Sequence, residues 1–154
     1  MSSGVLTSDR YKKIQAIPTT ITELLEDTNF FRDVLRGYPE GMNTFKGGIA
    51  SVYFNTMSFT ETMQGRNKPE FVNSVIGITE KGSKTEVHDR IVTNSLCVLE
   101  KFGGLRDVPG DPDWITLKGN VRNTFIDFFQ INPERYGKSM LTTSIIKLKH
   151  DIRW

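Results

Sequence analysis

Residues 82–104 read GSKTEVHDRIVTNSLCVLEKFGG, and this stretch decides the fold. Ser83-Lys84-Thr85-Glu86 has the spacing of a capping box. The Ser83 hydroxyl can accept from the amide three residues on, and the Glu86 carboxylate can reach back to the Ser83 amide. Behind it Val87, Ile91, Val92, Leu96, Val98, Leu99 and Phe102 recur at helical spacing and cover nearly half of the wheel. Gly103-Gly104 closes the run, because glycine enters the left-handed region without a steric penalty. The stretch therefore predicts a helix over Ser83–Phe102, lying flat on a broad apolar surface.

The flanking sequence supplies that surface. Phe71–Thr79 reads as a strand, and its centre, Val75-Ile76-Gly77-Ile78, is nearly all apolar, as in a strand inside a sheet. Ile49–Thr60 has the β-branched and aromatic character of a second strand. Gly65, Asn67 and Pro69 interrupt the two between Glu61 and Glu70, which predicts a long hairpin loop. At the far end Ile146, Leu148, His150, Ile152 and Trp154 alternate with Lys147, Lys149, Asp151 and Arg153. That is a half-buried strand over Met140–Trp154, with one dry face and one wet face.

The remaining segments are read in the same way. Thr20-Ile21-Thr22-Glu23 repeats the capping-box spacing, and Ile21, Leu24, Leu25, Phe31, Val34 and Leu35 mark a helical face that Gly37 and Pro39 end near Arg36. Residues 1–18 hold few apolar anchors and predict a flexible arm ahead of a domain spanning 19–154. Residues 38–48 form a turn-rich connection, and Leu105–Asp113 a loop with Pro109-Gly110 and Pro112. Trp114–Leu117 fits a short strand. Val121–Ile131 fits either a buried helix or a strand; with no cap to open it, strand is preferred, followed by a turn over Asn132–Gly137. Hairpin-connected strands with inserted helices define an α+β class: a single domain with one mainly antiparallel sheet and helices on one face.

Composition narrows function. The 154 residues carry 20 basic and 18 acidic side chains, a net charge of +2, too balanced to announce a polyanionic partner. No apolar run of membrane-spanning length occurs, and Met1–Gly4 leads into polar sequence, so neither a membrane span nor a secretory leader is expected. The single Cys97 has no internal disulfide partner and falls inside the central helix.

No motif specifies a reaction. Gly137-Lys138-Ser139 resembles the end of a phosphate loop, but Asn132 stands where the first glycine belongs, and a strand pattern follows instead of a helix. Asp107, Asp111 and Asp113 lack the late glutamate of a calcium loop and are interrupted by prolines. His88, His150 and Cys97 have no paired metal spacing, and His150 falls on the dry face of the last strand as a packed residue. Tyr53, Phe54, Phe125, Phe128 and Phe129, with Lys118 and Arg122, could stack on bases, but aromatic residues on strands are ordinarily core. No catalytic residue, metal ligand or cofactor is assigned.

The order of elements does carry a resemblance. A capped helix, the Gly-Tyr-Pro-Glu-Gly connection at 37–41, a strand with a long polar extension, a second strand, a covering helix and a closing strand ending Asp151-Ile152-Arg153-Trp154 resemble the tail-terminator and neck (head–tail joining) proteins of tailed bacteriophages, over about Ile21–Trp154. The resemblance implies a non-enzymatic virion protein, assembled in the host cytoplasm. It implies a ring, commonly a homohexamer, at the end of the tail tube, where the tail-tube protein and head-completion or connector proteins are its partners. Genome DNA would pass through the lumen without sequence-specific binding. Phe59, Met63 and Arg66 in the extended segment Thr56–Pro69, with Tyr11 and Ile14 in the arm, are the residues it implies for subunit or tail-tube contacts. The rival reading is a small α+β binding module for single-stranded nucleic acid or a small ligand.

Overall fold

The computed structural model describes residues 4–37, 48–103, 107–136 and 139–153. In chain order the elements are α1 (Asp9–Gln15), α2 (Ile17–Thr28), β1 (Asp33–Arg36), β2 (Ile49–Glu61), β3 (Asn67–Gly82), α3 (Lys84–Phe102), α4 (Pro112–Ile115), β4 (Asn123–Tyr136) and β5 (Ser139–Asp151). The strands form one five-stranded sheet in the order β1-β2-β3-β5-β4. Every neighbouring pair is antiparallel except β1 with β2. The α+β class, with a mainly antiparallel sheet, is therefore the observed one.

The period-two pattern decides which face is dry. Val52, Ile76 and Ile146 are register partners on adjacent strands, and Ser74 and Ile126 flank Leu148 in the same way. These side chains, with Val72 and Ile78, meet α2 through Ile17, Ile21, Leu24 and Leu25, and α3 through Ile91, Val98 and Phe102. Both long helices thus share one face of the sheet. The alternation read in the last strand holds: Ile146, Leu148, His150 and Ile152 are buried, while Lys147 and Lys149 are half-buried on the other face.

The helix that decided the fold begins where the sequence places it, with Ser83 as N-cap in extended conformation, but the Ser83 hydroxyl makes no capping bond. The first turn is closed instead by the backbone, the Val87 amide donating to the Ser83 carbonyl at 2.9 Å. At the other end Gly103 has φ +80°, and a Cβ there would lie 2.8 Å from the Pro109 carbonyl oxygen. Gly110, at φ +83°, is pressed against Gly103 from the opposite side. The two glycines let the loop fold back on the helix end, where the Asp111 amide donates to the Lys101 carbonyl at 2.7 Å. Gly103→Ala is expected to lower the unfolding free energy by about 2–3 kcal/mol, combining left-handed strain with overpacking against backbone. An unchanged urea midpoint would show that the loop yields without cost.

Four local expectations are corrected. Residues 1–18 are not an unanchored arm throughout: α1 is capped by the Ser8 hydroxyl, and Ile14 and Ile17 pack in the core. The first long helix starts at Ile17 with Pro18 in its opening turn, where a missing N–H is harmless. It ends at Asn29, whose φ of +58° is left-handed, so Thr20 lies inside the helix instead of capping it. Val34 and Leu35 consequently sit on β1, a short parallel edge strand.

The predicted long loop over Glu61–Glu70 shortens to a five-residue turn over 62–66, with Glu61 still in β2 and 67–70 already in β3. Pairing runs to Glu61 opposite Asn67, and the turn closes with Thr62 N–H donating to the Arg66 carbonyl at 2.7 Å. Pro69 is tolerated because β5 pairs with β3 only from Phe71 onward, so Pro69 lies on an open edge. Trp114 belongs to the one-turn helix α4, capped by the Asp111 carboxylate, and not to a strand. Its indole packs edge-on to Phe102 at 5.2 Å. The ambiguous stretch 121–131 is strand, as preferred, but β4 continues to Tyr136 where a turn is expected. The rest of that turn, Gly137-Lys138, and the connection 38–47 lie outside the described residues.

Candidate functional surfaces

Beyond the point where β5 pairing ends, β2 and β3 continue as a two-stranded ribbon. A bulge between Ser58 and Phe59, at the base of the ribbon, increases its twist. At its base Phe59 is 47% exposed, and in its end turn Met63 is fully exposed and Arg66 is exposed. Tyr11 is also exposed, on α1, whereas Ile14 is 5% exposed and belongs to the core. Of the five residues implied as contacts, the structure brings Phe59, Met63 and Arg66 together on the ribbon, keeps Tyr11 on a separate element, and removes Ile14 from any surface.

A second apolar feature lies at the other side of the central helix. A groove of about 1250 Å³ runs between α3, α4 and the start of β4, lined by Leu96, Cys97, Leu99, Phe102, Ile115 and Ile126. β4 is the open edge of the sheet, so the groove is bordered by a strand with one unpaired side. A smaller cleft of about 740 Å³ opens between the N-terminal helices and β1–β2, with Lys12, Gln15, Thr19, Arg36, Tyr53 and Phe54 in its wall.

The face of the sheet opposite α2 and α3, which carries no helix among the described residues, sets the rings raised by the sequence beside cations the sequence did not connect to them. In register across it lie Tyr53, Val75, Lys147 and Phe128, and in the next row Asn73, Lys149 and Phe125. Lys149 Nζ stands 4.3 Å above the centre of the Phe71 ring, Arg153 Cζ 4.7 Å from the same ring, and Lys147 Nζ 5.5 Å from that of Phe128. Phe125 and Phe128 are 48% and 42% exposed, so they are not core, while Phe129, across the bulge, packs inward. The cations expected beside these rings, Lys118 and Arg122, turn elsewhere: Lys118 toward Glu23 at 3.8 Å, Arg122 toward the Arg153 carbonyl. The available signal was the alternation of Lys147, Lys149 and Arg153 on the wet side of β5, which only strand order connects to the rings.

The buried polar groups serve packing. His150 is enclosed between Ser74 Oγ at 2.6 Å and Thr124 Oγ1 at 2.8 Å, and burial lowers its pKa to about 3. Ser95 and Ser144 bond each other at 2.8 Å where α3 crosses β5. Glu80, on β3, faces Arg90 on α3 at 3.4 Å; burial raises its pKa and the guanidinium partly offsets that. The Arg153 guanidinium donates two hydrogen bonds to the Asp151 carboxylate and the Arg153 amide a third, which together hold its pKa below the ordinary carboxylate range. Asp111 is the cap of α4, and among the described residues no group of three or more His, Cys, Asp or Glu is placed to hold a metal ion. None of these clusters opens onto a cleft with a nucleophile beside a base.

No protein-family model matches the chain, and no curated protein matches it. No helix among the described residues is long and apolar enough to cross a membrane. What the fold defines is a class, an α+β domain with a helix-backed sheet and a projecting ribbon.

Proposed function

We propose that this chain is a structural protein of a tailed-phage virion that assembles into a ring, commonly of six subunits, at the head-proximal end of the tail tube. The observation that carries this reading is the ribbon: a two-stranded projection that exposes Phe59 at its base and Met63 at its turn. A closed ring is built from a heterologous contact, one patch of each subunit meeting a different patch of the next. The groove beside α3 and the open edge of β4 supply an unlike apolar patch for the ribbon to meet. The element order shared with tail-terminator and neck proteins supports the same assignment. The tail-tube protein and head-completion proteins are then its neighbours, and genome DNA passes through the lumen.

The test is complementation of an assembly-defective phage with Phe59→Ser/Met63→Ser. Both side chains are exposed, so the unfolding midpoint of the isolated protein should stay within about 0.5 kcal/mol of the parent. Loss of two apolar anchors should weaken each subunit contact by about 3 kcal/mol or more, roughly 100-fold. Particles should accumulate as unjoined heads and tails of unregulated length in electron micrographs. Normal infectious particles from this variant would reject the ribbon as an assembly contact.

A further inference from the structure

We infer that the helix-free face of the sheet is a binding surface for single-stranded nucleic acid, read without sequence preference. The inference is independent of ring formation, since it rests on a different face of the molecule. Single-strand readers combine rings on which bases stack with cations that follow the phosphates. Here the two are interleaved in register: Phe71 under Lys149 and Arg153, Phe128 under Lys147, and Phe125 opposite Lys149. In the free protein each cation rests on a ring. A polynucleotide can exchange both partners at once, phosphate taking the cation and a base taking the ring.

Charge decides between possible occupants. Lys147, Lys149 and Arg153 stand on this face; of the acidic groups near them Asp151 is bonded to Arg153, Glu70 lies near Arg153 and accepts from Thr60, and Asp127 lies at the bulge of β4. A protein interface of ordinary kind is depleted of lysine at its centre, because burying an unpaired ammonium is costly. A polyanion removes that cost. Duplex DNA would meet the cations, but its bases are stacked inside and would leave the exposed rings of Phe125 and Phe128 unused. Unpaired bases use both.

The experiment is fluorescence anisotropy of a labelled oligothymidine with the full-length protein at about 50 mM and about 200 mM salt. Binding is expected at the lower salt, weakening as salt rises. Phe125→Ala and Phe128→Ala should each weaken it about 5- to 150-fold. Lys147→Gln with Lys149→Gln should reduce the magnitude of the log–log salt slope by about 1.4, about 0.7 per lost phosphate contact. Circular dichroism checks that each variant keeps its fold, and the lysine pair serves as the probe should a ring substitution disturb the sheet. Three results would overturn the inference: no anisotropy change at low salt, binding unaffected by the ring and lysine substitutions, or equal displacement of the oligonucleotide by polyglutamate. A duplex of the same length bound as tightly as the single strand would overturn it as well.

Discussion

Ile91→Ala is expected to lower the unfolding free energy by about 2–5 kcal/mol, a large share of the roughly 5–15 kcal/mol that holds a domain of this kind together. Ile91 is fully buried in the cluster where α3 lies over the sheet, and it faces Ile146, Ile76 and their neighbours on β5 and β3 as part of one core. Truncation there removes transfer free energy and leaves a cavity that a sheet on one side and a helix on the other cannot collapse to fill. Alanine's better helix propensity returns only a few tenths of a kcal/mol. Leu99, half-buried at the border of the same cluster, should cost less, and Leu96→Ala, on the exposed side, should stay within about 0.5 kcal/mol of the parent. Urea titration of the three variants checks the ranking. A midpoint for Ile91→Ala equal to that of Leu96→Ala would mean that α3 does not dock on the sheet through the face described.

The helix and its dry face were legible in the sequence because the apolar spacing of α3 is redundant and glycines mark its end. The wet–dry alternation of β5 was legible for the same reason. The ranking was not, since Leu96 and Leu99 share that spacing yet Leu96 is exposed and Leu99 only half-buried. What misled was local chemistry that tertiary packing overrides. Val34 and Leu35 continue a helical spacing from Leu24 and Leu25, but Asn29 takes the left-handed conformation and ends the helix, so Val34 reaches the core from a strand while Leu35, its neighbour, stays outside it. Thr20 has capping chemistry, yet Pro18 and Ile17 start the helix earlier because Ile17 has a core to enter. Gly65 and Pro69 look like loop residues, but one sits at the turn and the other on an open edge, where a ladder hydrogen bond is not missed. The ribbon tip was readable as apolar sequence without a home. Ile14 was not distinguishable from it, because an isoleucine in a mostly polar stretch shows no sign of the core that buries it. The rings and lysines of the uncovered face come from β3, β4 and β5, and no single stretch of chain displays their union.

Acid should destabilise the protein through His150 well before its carboxylates are fully protonated. The imidazole is completely buried between two hydroxyls, and its pKa falls from 6.5 to about 3. Desolvation is the cause: no carboxylate contributes to the shift, and a charged ring in this site would forgo its hydration. Because the folded pKa lies below the unfolded one, the unfolded chain binds the extra proton throughout that window. Stability from this group is therefore fully present above pH 6.5 and is lost as pH falls toward about 3. The slope is about 1.4 kcal/mol per pH unit, so roughly 2–3 kcal/mol should be gone by about pH 4.5. Glu80 acts in the opposite sense: its raised pKa makes the folded state bind the extra proton just above pH 4.5, so it offsets part of the loss there and adds nothing further below 4.5. Asp151, held low by Arg153, adds its own loss only below the ordinary carboxylate value of 3.8. The His150 contribution is isolated by His150→Gln, which keeps hydrogen-bonding groups toward Ser74 and Thr124 but cannot titrate. Denaturant unfolding of the parent between pH 7 and about 4.5 should show the slope, and the variant should lack it. A parent curve flat across that range, with the His150 ring protons titrating near 6.5 in the folded protein, would mean that the ring is open to water and that the sheet does not close over it.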